Sequence, residues 1–366
     1  MKKTKPKKRL LKIAHVAPLW FSIPPEKYGG IERIASYLTE ELVKRGHEVT
    51  LFASGDSKTK AKLISVYPRS LLKDNISWTD HLWNLENLSY AFSRAKEFDV
   101  IHSHLDVWSV FFQEIVKTPV IHTFHNPLYA KKGKKITTNR LKIFDRHKKG
   151  AHWCYISKSQ KQLSPLKIRQ SSVVYNGIDT SLFKFNPKPK DYFVWIARID
   201  PYKGIENAIA AAEMTGVKLL LAGRLDKAMK DYFNQRIKPH LGRKIKYVGE
   251  LSQKELSDFY GNAIASLYPI EWHEPFGLVM VESMACGTPV IGFARGSVRE
   301  VVKNGYSGYV LPMMKKEKRN IKGLAKAIEN IREIKREDCR TWVEKNFSYQ
   351  KMTDRYEKIY YKLAQR

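Results

Sequence analysis

Apolar residues along this chain fall into two patterns that alternate from end to end. Short, mostly apolar runs read as strands buried on both faces. In the first half they are Ile13–Ala17, Glu48–Phe52, Asp99–Ser103, Pro119–Phe124 and Trp153–Ser157. In the second half they are Asp191–Ala197, Leu219–Gly223, a run at Tyr247–Glu250, Ala265–Tyr268 and one opening at Pro289. Between these runs apolar residues recur three or four apart, the helical period. A helix from about Ile31 to Lys44 shows it plainly, with Ile34, Leu38 and Leu42 on one face and Gly46 beyond its end. Strands and helices in alternation imply parallel sheets covered by helices, an α/β fold. Residues 56–97 carry weaker signals: one short strand near Leu63–Tyr67 and a helix reaching Lys96. Beyond Lys315 the chain reads as charged helix, ending in a helix from Tyr349 to about Leu363. No internal repeat interrupts the pattern.

At 366 residues the chain exceeds one ordinary core and predicts two domains. Phe185-Asn186-Pro187-Lys188-Pro189-Lys190 is proline-rich and charged, as linkers are, so the domains are drawn at residues 1–184 and 185–348. With 43% apolar and 12% aromatic residues, the composition is that of a folded chain. No apolar run reaches the roughly eighteen residues of a membrane span. The basic start, Met1–Arg9, runs into a strand-like stretch and not into a signal-type apolar core, so a cytoplasmic protein is expected. Cys154, Cys286 and Cys339 form no metal or redox pattern and predict buried free thiols. The formal charge is +30, densest at Lys2–Lys12 and Lys131–Lys149. Such a field attracts anionic lipid, nucleic acid or phosphorylated ligands, unless it is simply a solvated lysine-rich surface. In the second stretch Lys131, Lys132, Lys134 and Lys135 precede Arg140, Lys142, Arg146, Lys148 and Lys149, with Leu141, Ile143 and Phe144 interspersed. That mixture suits lipid headgroups and a solvated helix equally.

Candidate chemistry gathers at strand ends. Gly29 and Gly30 follow the first strand and open a helix, which leaves bare N–H groups and a positive dipole end suited to phosphate. They form neither a dinucleotide fingerprint nor a phosphate loop ending in Gly-Lys-Ser/Thr. Arg198 and Lys203 come off the first strand of the second half and can neutralise a diphosphate from two sides. Glu274 and Glu282 lie eight residues apart in Glu-Pro-Phe-Gly-Leu-Val-Met-Val-Glu. Pro275 excludes a helix and Gly277 opens one, so Glu274 belongs at a helix mouth and Glu282 about one and a half turns inside. At roughly 1.5 Å per residue, the two carboxylates could touch opposite ends of one elongated ligand.

These residues, at this spacing, resemble the family 4 glycosyltransferases. The resemblance covers nearly the whole chain and implies the GT-B type, two Rossmann-like doubly wound parallel-sheet domains facing a central cleft, with the last helix, 349–366, completing the first domain. It implies hexosyl transfer from a UDP- or GDP-sugar to a sugar, glycolipid or polysaccharide-precursor acceptor, with retention of configuration. Glu274 would contact donor hydroxyls and Glu282 the ribose, with Phe276, Gly277 and Leu278 between them. Arg198 and Lys203 would grip the donor diphosphate, and Gly29 and Gly30 would lie between it and the acceptor. His125, in Thr123-Phe124-His125, would face the reacting sugar, which gives His125, Lys203 and Glu274 the catalytic roles. Ser157 matches a position near the phosphates only loosely, and Asn176-Gly177-Ile178-Asp179 matches the segment that ends the first domain.

His125 is one of four histidines at strand ends, with His102, His104 and His122. No acidic or thiol ligand nearby completes a metal set, and ligands of open α/β sheets bind off these strand ends. No cofactor is expected, the nucleotide-sugar being a substrate. No Asp-x-Asp occurs, so a metal clamp is not indicated. The basic stretches add attachment to the inner face of the cell membrane as an expectation. Two other readings are a GT-B-type sugar phosphorylase and a basic nucleic-acid-binding protein. The first lacks a pyridoxal lysine locatable by motif. Against the second, the lysines are spread through both halves and no binding module is recognisable, so no nucleic acid is expected.

Overall fold

In a computed structural model the described residues are 9–27, 29–128, 138–314 and 319–365. Tyr28, the lysines before Arg9 and Lys131, Lys132, Lys134 and Lys135 lie outside them. The first half runs β1 (Lys12–Val16), α1 (Gly30–Lys44), β2 (Glu48–Phe52), β3 (Lys62–Ile64), α2 (Leu82–Ser93), β4 (Val100–Ser103), β5 (Val120–Phe124), α3 (Thr138–His147), β6 (His152–Tyr155), α4 (Lys158–Leu163) and β7 (Ser171–Val173). The second runs β8 (Phe193–Ile196), α5 (Ile205–Thr215), β9 (Leu219–Ala222), α6 (Lys230–Arg236), β10 (Ile245–Tyr247), α7 (Gln253–Gly261), β11 (Ser266–Tyr268), α8 (Leu278–Ala285), β12 (Val290–Phe293), α9 (Val298–Val301) and β13 (Gly308–Leu311). Three helices follow: α10 (Ile321–Asn330), α11 (Arg336–Asn346) and α12 (Tyr349–Ala364).

The strands form two sheets, ordered β3-β2-β1-β4-β5-β6-β7 and β10-β9-β8-β11-β12-β13, and every pairing is parallel. Along β1 and β2 only the first residue is exposed, as a parallel sheet covered on both faces requires. In each sheet the order reverses once, between β1 and β4 and again between β8 and β11. Crevices for ligands open off the carboxyl ends at such switch points. Gly29 and His104 follow β1 and β4; Arg198 and Glu274 follow β8 and β11. The topology therefore gathers the motifs noted above at two crevices.

The chain closes on itself through α12. Met352, Tyr356, Tyr360 and Leu363 pack with Ile13, Ile34, Leu38 and Leu42 in the core under α1. Ile178 lies beside this crossing: its N–H donates to Phe347 O at 2.9 Å, and Tyr349 N–H donates to Ile178 O at 3.0 Å. Phe183, drawn in the first domain from sequence, packs into the core of the second. Two local differences from expectation have simple causes. The strand near Leu63 ends at Ile64, because the Ser65 hydroxyl and Tyr67 backbone bond each other in a tight turn. β13, a four-residue edge strand opened by a glycine, was not legible among the charged residues around it.

The polar tip of α12 reaches the middle of the first sheet. Tyr360 Oη lies 2.7 Å from His102 Nδ1 and 3.2 Å from His15 Nε2, all three residues fully buried. Tyr360→Phe removes that shared partner and strands two ring nitrogens. We expect a loss of about 1–3 kcal/mol in urea unfolding, with the m-value unchanged.

Candidate active site

The second sheet presents its chemistry at the β8/β11 switch point. Off β8, Asp200 shapes the loop: its carboxylate accepts from Tyr202 N–H at 2.9 Å and from Arg198 Nη2 at 3.2 Å. Pro201 then starts a single helical turn that ends at Lys203. Lys203 Nζ donates to Glu274 Oε2 at 2.7 Å and sits 4.3 Å from the Trp272 ring centroid. The same oxygen also accepts from Tyr268 Oη at 2.7 Å and Trp272 Nε1 at 3.0 Å. Three donors converging on one carboxylate oxygen fix Glu274 at the mouth of α8.

The backbone of Glu274 is clamped from behind. Ser297 N–H donates to Glu274 O at 2.9 Å, and Ser297 Oγ donates to Phe276 O at 2.8 Å. Gly296, with φ 57°, lies so close that a Cβ there would sit 2.3 Å from Glu274 O. Any side chain would push the carboxylate out of place. Gly277 provides the left-handed N-cap of α8, and Leu278 begins the helix. Phe276 does not reach the cleft with its side chain: it is buried, 6.3 Å from Tyr175 and 5.8 Å from Phe347 between ring centroids. Glu282 is buried in α8 and accepts from Tyr260 Oη at 3.3 Å. Burial raises its pKa, while Arg33 of the first domain opposes that rise.

Across the cleft stands the glycine loop. Gly29 caps α1 at φ 144°, where a Cβ would meet Pro25 at 2.7 Å. The Cβ position of Gly30 lies 3.5 Å from Leu278 Cδ1, so the loop directly faces the start of α8. Arg33, a turn further on, hydrogen-bonds Gln253 of the second domain and donates to Lys27 O at 2.7 Å. His125 Nε2 lies 2.8 Å from His104 Nδ1, and burial holds its pKa near about 3, so the ring is neutral at pH 7. His102 and His122 are buried and engaged elsewhere, His102 with Thr123 and Tyr360, His122 with Ser109 and Gln113. Of the four strand-end histidines, His125 is the one that is partly exposed.

The structure thus brings Arg198, Lys203, Glu274, Gly277 and Leu278 together, with Gly29 and Gly30 opposite. Sequence reasoning missed Tyr268, Trp272, Asp200, Arg33 and Glu32. The Asp-Pro cap signature was available for Asp200; nothing local marked Tyr268 or Trp272 as partners of Glu274. Glu32, buried in the first turn of α1, has its carboxyl pushed up to about 7 by desolvation. Among the described residues, no cluster of three His, Cys, Asp or Glu could hold a metal ion. The three cysteines are buried free thiols.

Two facing Rossmann-like domains with a Lys–Glu pair at one switch point and a glycine loop at the other define a GT-B glycosyltransferase. Two family models bear this out, one described as Glycosyltransferase Family 4 over residues 28–182 and one as Glycosyl transferases group 1 over residues 178–347. The chain belongs to the family 4, group 1 glycosyltransferases. An uncharacterised glycosyltransferase of Methanocaldococcus jannaschii is 25% identical over 336 residues, 80% of this chain and 84% of that protein. The phosphatidyl-myo-inositol mannosyltransferase of Mycolicibacterium smegmatis is 23% identical over 332 residues, 83% of this chain and 81% of that one. Among solved structures, Anabaena HepE in complex with UDP and glucose superposes with a TM-score of 0.73 at 18% identity, covering 95% of this chain and 99% of that one.

The buried rings set a pH dependence. His15, His122 and His125 have pKa values lowered to about 3 by burial, and His102 and His104 are held well below the ordinary value by burial first and by neighbouring histidines second. Unfolded, each titrates near 6.5. From that value down to the folded ones the unfolded chain binds more protons, so stability present above pH 6.5 is lost as pH falls. Glu32 and Glu282, with raised pKa values, act in the opposite direction, but they are two against five. Each unbalanced proton contributes up to about 1.4 kcal/mol per pH unit. Urea midpoints are expected to fall steadily from pH 6.5 to 4.5. A flat profile would mean the rings are not buried as described.

Proposed function

We propose that the protein transfers a hexosyl group from a UDP- or GDP-sugar to a sugar or lipid-linked acceptor, with retention and without a metal. The observation that carries this is the Lys203–Glu274 pair, held at the mouth of α8 by Tyr268 and Trp272. In transfer from a nucleotide-sugar, the bond between the anomeric carbon and the diphosphate breaks and negative charge grows on the departing oxygen. Lys203 and Arg198 supply fixed positive charge there, and the amides opening α1 and α8 add oriented N–H dipoles. Glu274 accepts hydrogen bonds from the sugar hydroxyls, and Glu282, deeper in α8, takes the ribose. His125, uncharged, donates or accepts one hydrogen bond beside the reacting sugar without placing a second cation near a developing oxocarbenium centre.

The donor assignment draws support from the HepE complex with UDP and glucose, and the lipid option from the mannosyltransferase whose name includes phosphatidyl-myo-inositol. A screen of UDP- and GDP-sugars in excess chelator, with released nucleoside diphosphate as readout, tests donor, enzyme activity and metal independence together. Lys203→Ala and Glu274→Gln are each expected to lower turnover by about 10²–10³-fold. A folded Lys203→Ala protein with near-normal turnover would overturn the assignment.

Attachment to an anionic membrane is part of the same reading. No helix among the described residues is long and apolar enough to cross a bilayer. The basic residues Lys142, Arg146, Lys148 and Lys149 instead cluster on and just after α3. Each cation near an anionic surface contributes about 1 kcal/mol, so four give reversible binding. Sedimentation with anionic vesicles, released by salt and absent with neutral ones, is expected. Equal partitioning onto both vesicle types would make the charge a surface trait.

A further inference from the structure

Beside the glycine loop, the first domain holds a cavity of about 440 Å³ that the donor chemistry does not use. Its lining runs from Ile31, next to Gly30, to α2, α3 and the loop after β4, and among the described residues all of it belongs to the first domain. Its walls include Trp20, His81, Trp108 and Phe111. The rings form a connected surface: His81 and Trp108 lie 4.4 Å apart between centroids, and Trp20 meets His81 edge-on at 5.7 Å.

The polar lining is unusual in what it leaves unpaired. Asn84 Nδ2, His104 Nε2, Asp106 Oδ1 and Arg140 Nε are each buried without a hydrogen-bond partner among the described residues, and all four residues line this cavity. Asn84 and His104 are 1% and 2% exposed. A buried polar atom left unpaired costs about 1–3 kcal/mol, so four around one space point to a ligand that satisfies them. Asp106 also adopts φ 52°, in the left-handed region, a strained setting for a residue with a side chain.

Charge narrows the class of ligand. Arg140 is the only Lys or Arg lining the cavity among the described residues, and it is already paired with Asp106, which also accepts from Asn126 Nδ2 at 3.3 Å. A phosphate would need an uncommitted cation. Flat apolar rings, the neutral Asn84 and His104, and an Arg140–Asp106 pair whose charges offset each other match a ring carrying several hydroxyls: the carbon face stacks and the edge hydrogen-bonds. We propose that this cavity seats an uncharged sugar or cyclitol ring as the acceptor, with Asn84, His104 and Asp106 reading its hydroxyls and Trp108 stacking on its face. Only the word acceptor rests on the transfer reading above. His104 joins the two halves of the site, since its Nδ1 lies 2.8 Å from His125 Nε2.

The test is equilibrium binding, followed by saturation-transfer NMR, of methyl hexopyranosides, myo-inositol and hexose 6-phosphates to the full chain, with and without UDP or GDP. At least one neutral ring should bind, and the 6-phosphates no more tightly than their neutral parents. Trp108→Ala should weaken the neutral ring about tenfold or more, while UDP or GDP affinity stays unchanged and shows the variant is folded. Asp106→Asn releases Arg140 and should shift preference toward the 6-phosphate. Absence of neutral-ring binding, indifference to Trp108→Ala, or a wild-type preference for phosphates would each overturn the inference. Neutral-ring binding without diphosphate release from any donor would uphold this cavity and instead sink the transfer reading.

Discussion

The second domain's site depends on a single carboxylate oxygen. Glu274 Oε2 gathers Lys203 from the loop after β8, Tyr268 from β11 and Trp272 from the approach to α8. A largely buried ion pair is weak grounds for stability, because removing both charges from water offsets most of their attraction. Its value here is positional. Two neutral donors and an aromatic face surround the pair and hold it at the carboxyl end of a parallel strand, beside the cleft. The glycine at 296 and the hydroxyl of Ser297 then fix the backbone that carries the carboxylate.

The first domain solves a different problem. Five histidines lie in or just beyond its central strands, and uncompensated rings would be costly so deep in a parallel sheet. Thr39, Thr123, Ser109, Gln113 and the Tyr360 hydroxyl provide partners, and the Tyr356 hydroxyl in turn bonds Thr123. Two of those hydroxyls arrive on α12, from the far end of the chain. The return of the last helix is therefore a matter of polar satisfaction as well as of apolar burial. Among the buried ring nitrogens of the described residues, His104 Nε2 is left without a partner, and His104 lines the cavity beside the glycine loop.

Much of this was legible in the amino-acid order. Buried parallel strands announce themselves as short apolar runs, and the turn chemistry of Gly29-Gly30 and Pro275-Phe276-Gly277 placed the helix mouths where they are found. The residues that escaped detection act through contacts that are remote in sequence or unmarked locally. Arg33 and Gln253 are 220 positions apart, and no periodicity links them. Phe276 sat inside a motif and was expected to serve a ligand with its neighbours. Its ring instead fills the core between Tyr175 and Phe347, because a phenylalanine at the mouth of α8 gains more from burial than from a wet cleft. The unpaired atoms of the aromatic cavity belong to three separate segments and could be recognised only once the fold had collected them.

The two halves of the site are joined electrostatically as well as by contact. Glu282 belongs to the second domain, yet the positive charge that offsets its burial, Arg33, belongs to the first. Glu300 likewise projects from the second domain and is held entirely from the first: it accepts from Lys158 N–H at 2.8 Å, Ser159 N–H at 2.6 Å and Tyr175 Oη at 2.7 Å. Separating the domains would strip the Glu300 carboxylate of its partners and take the Arg33 charge away from Glu282. Because each bond is polar and near solvent, water can replace it at modest net cost. The same contacts that join the two sides of the cleft therefore also permit them to part, which a transferase that must admit substrates and release products requires.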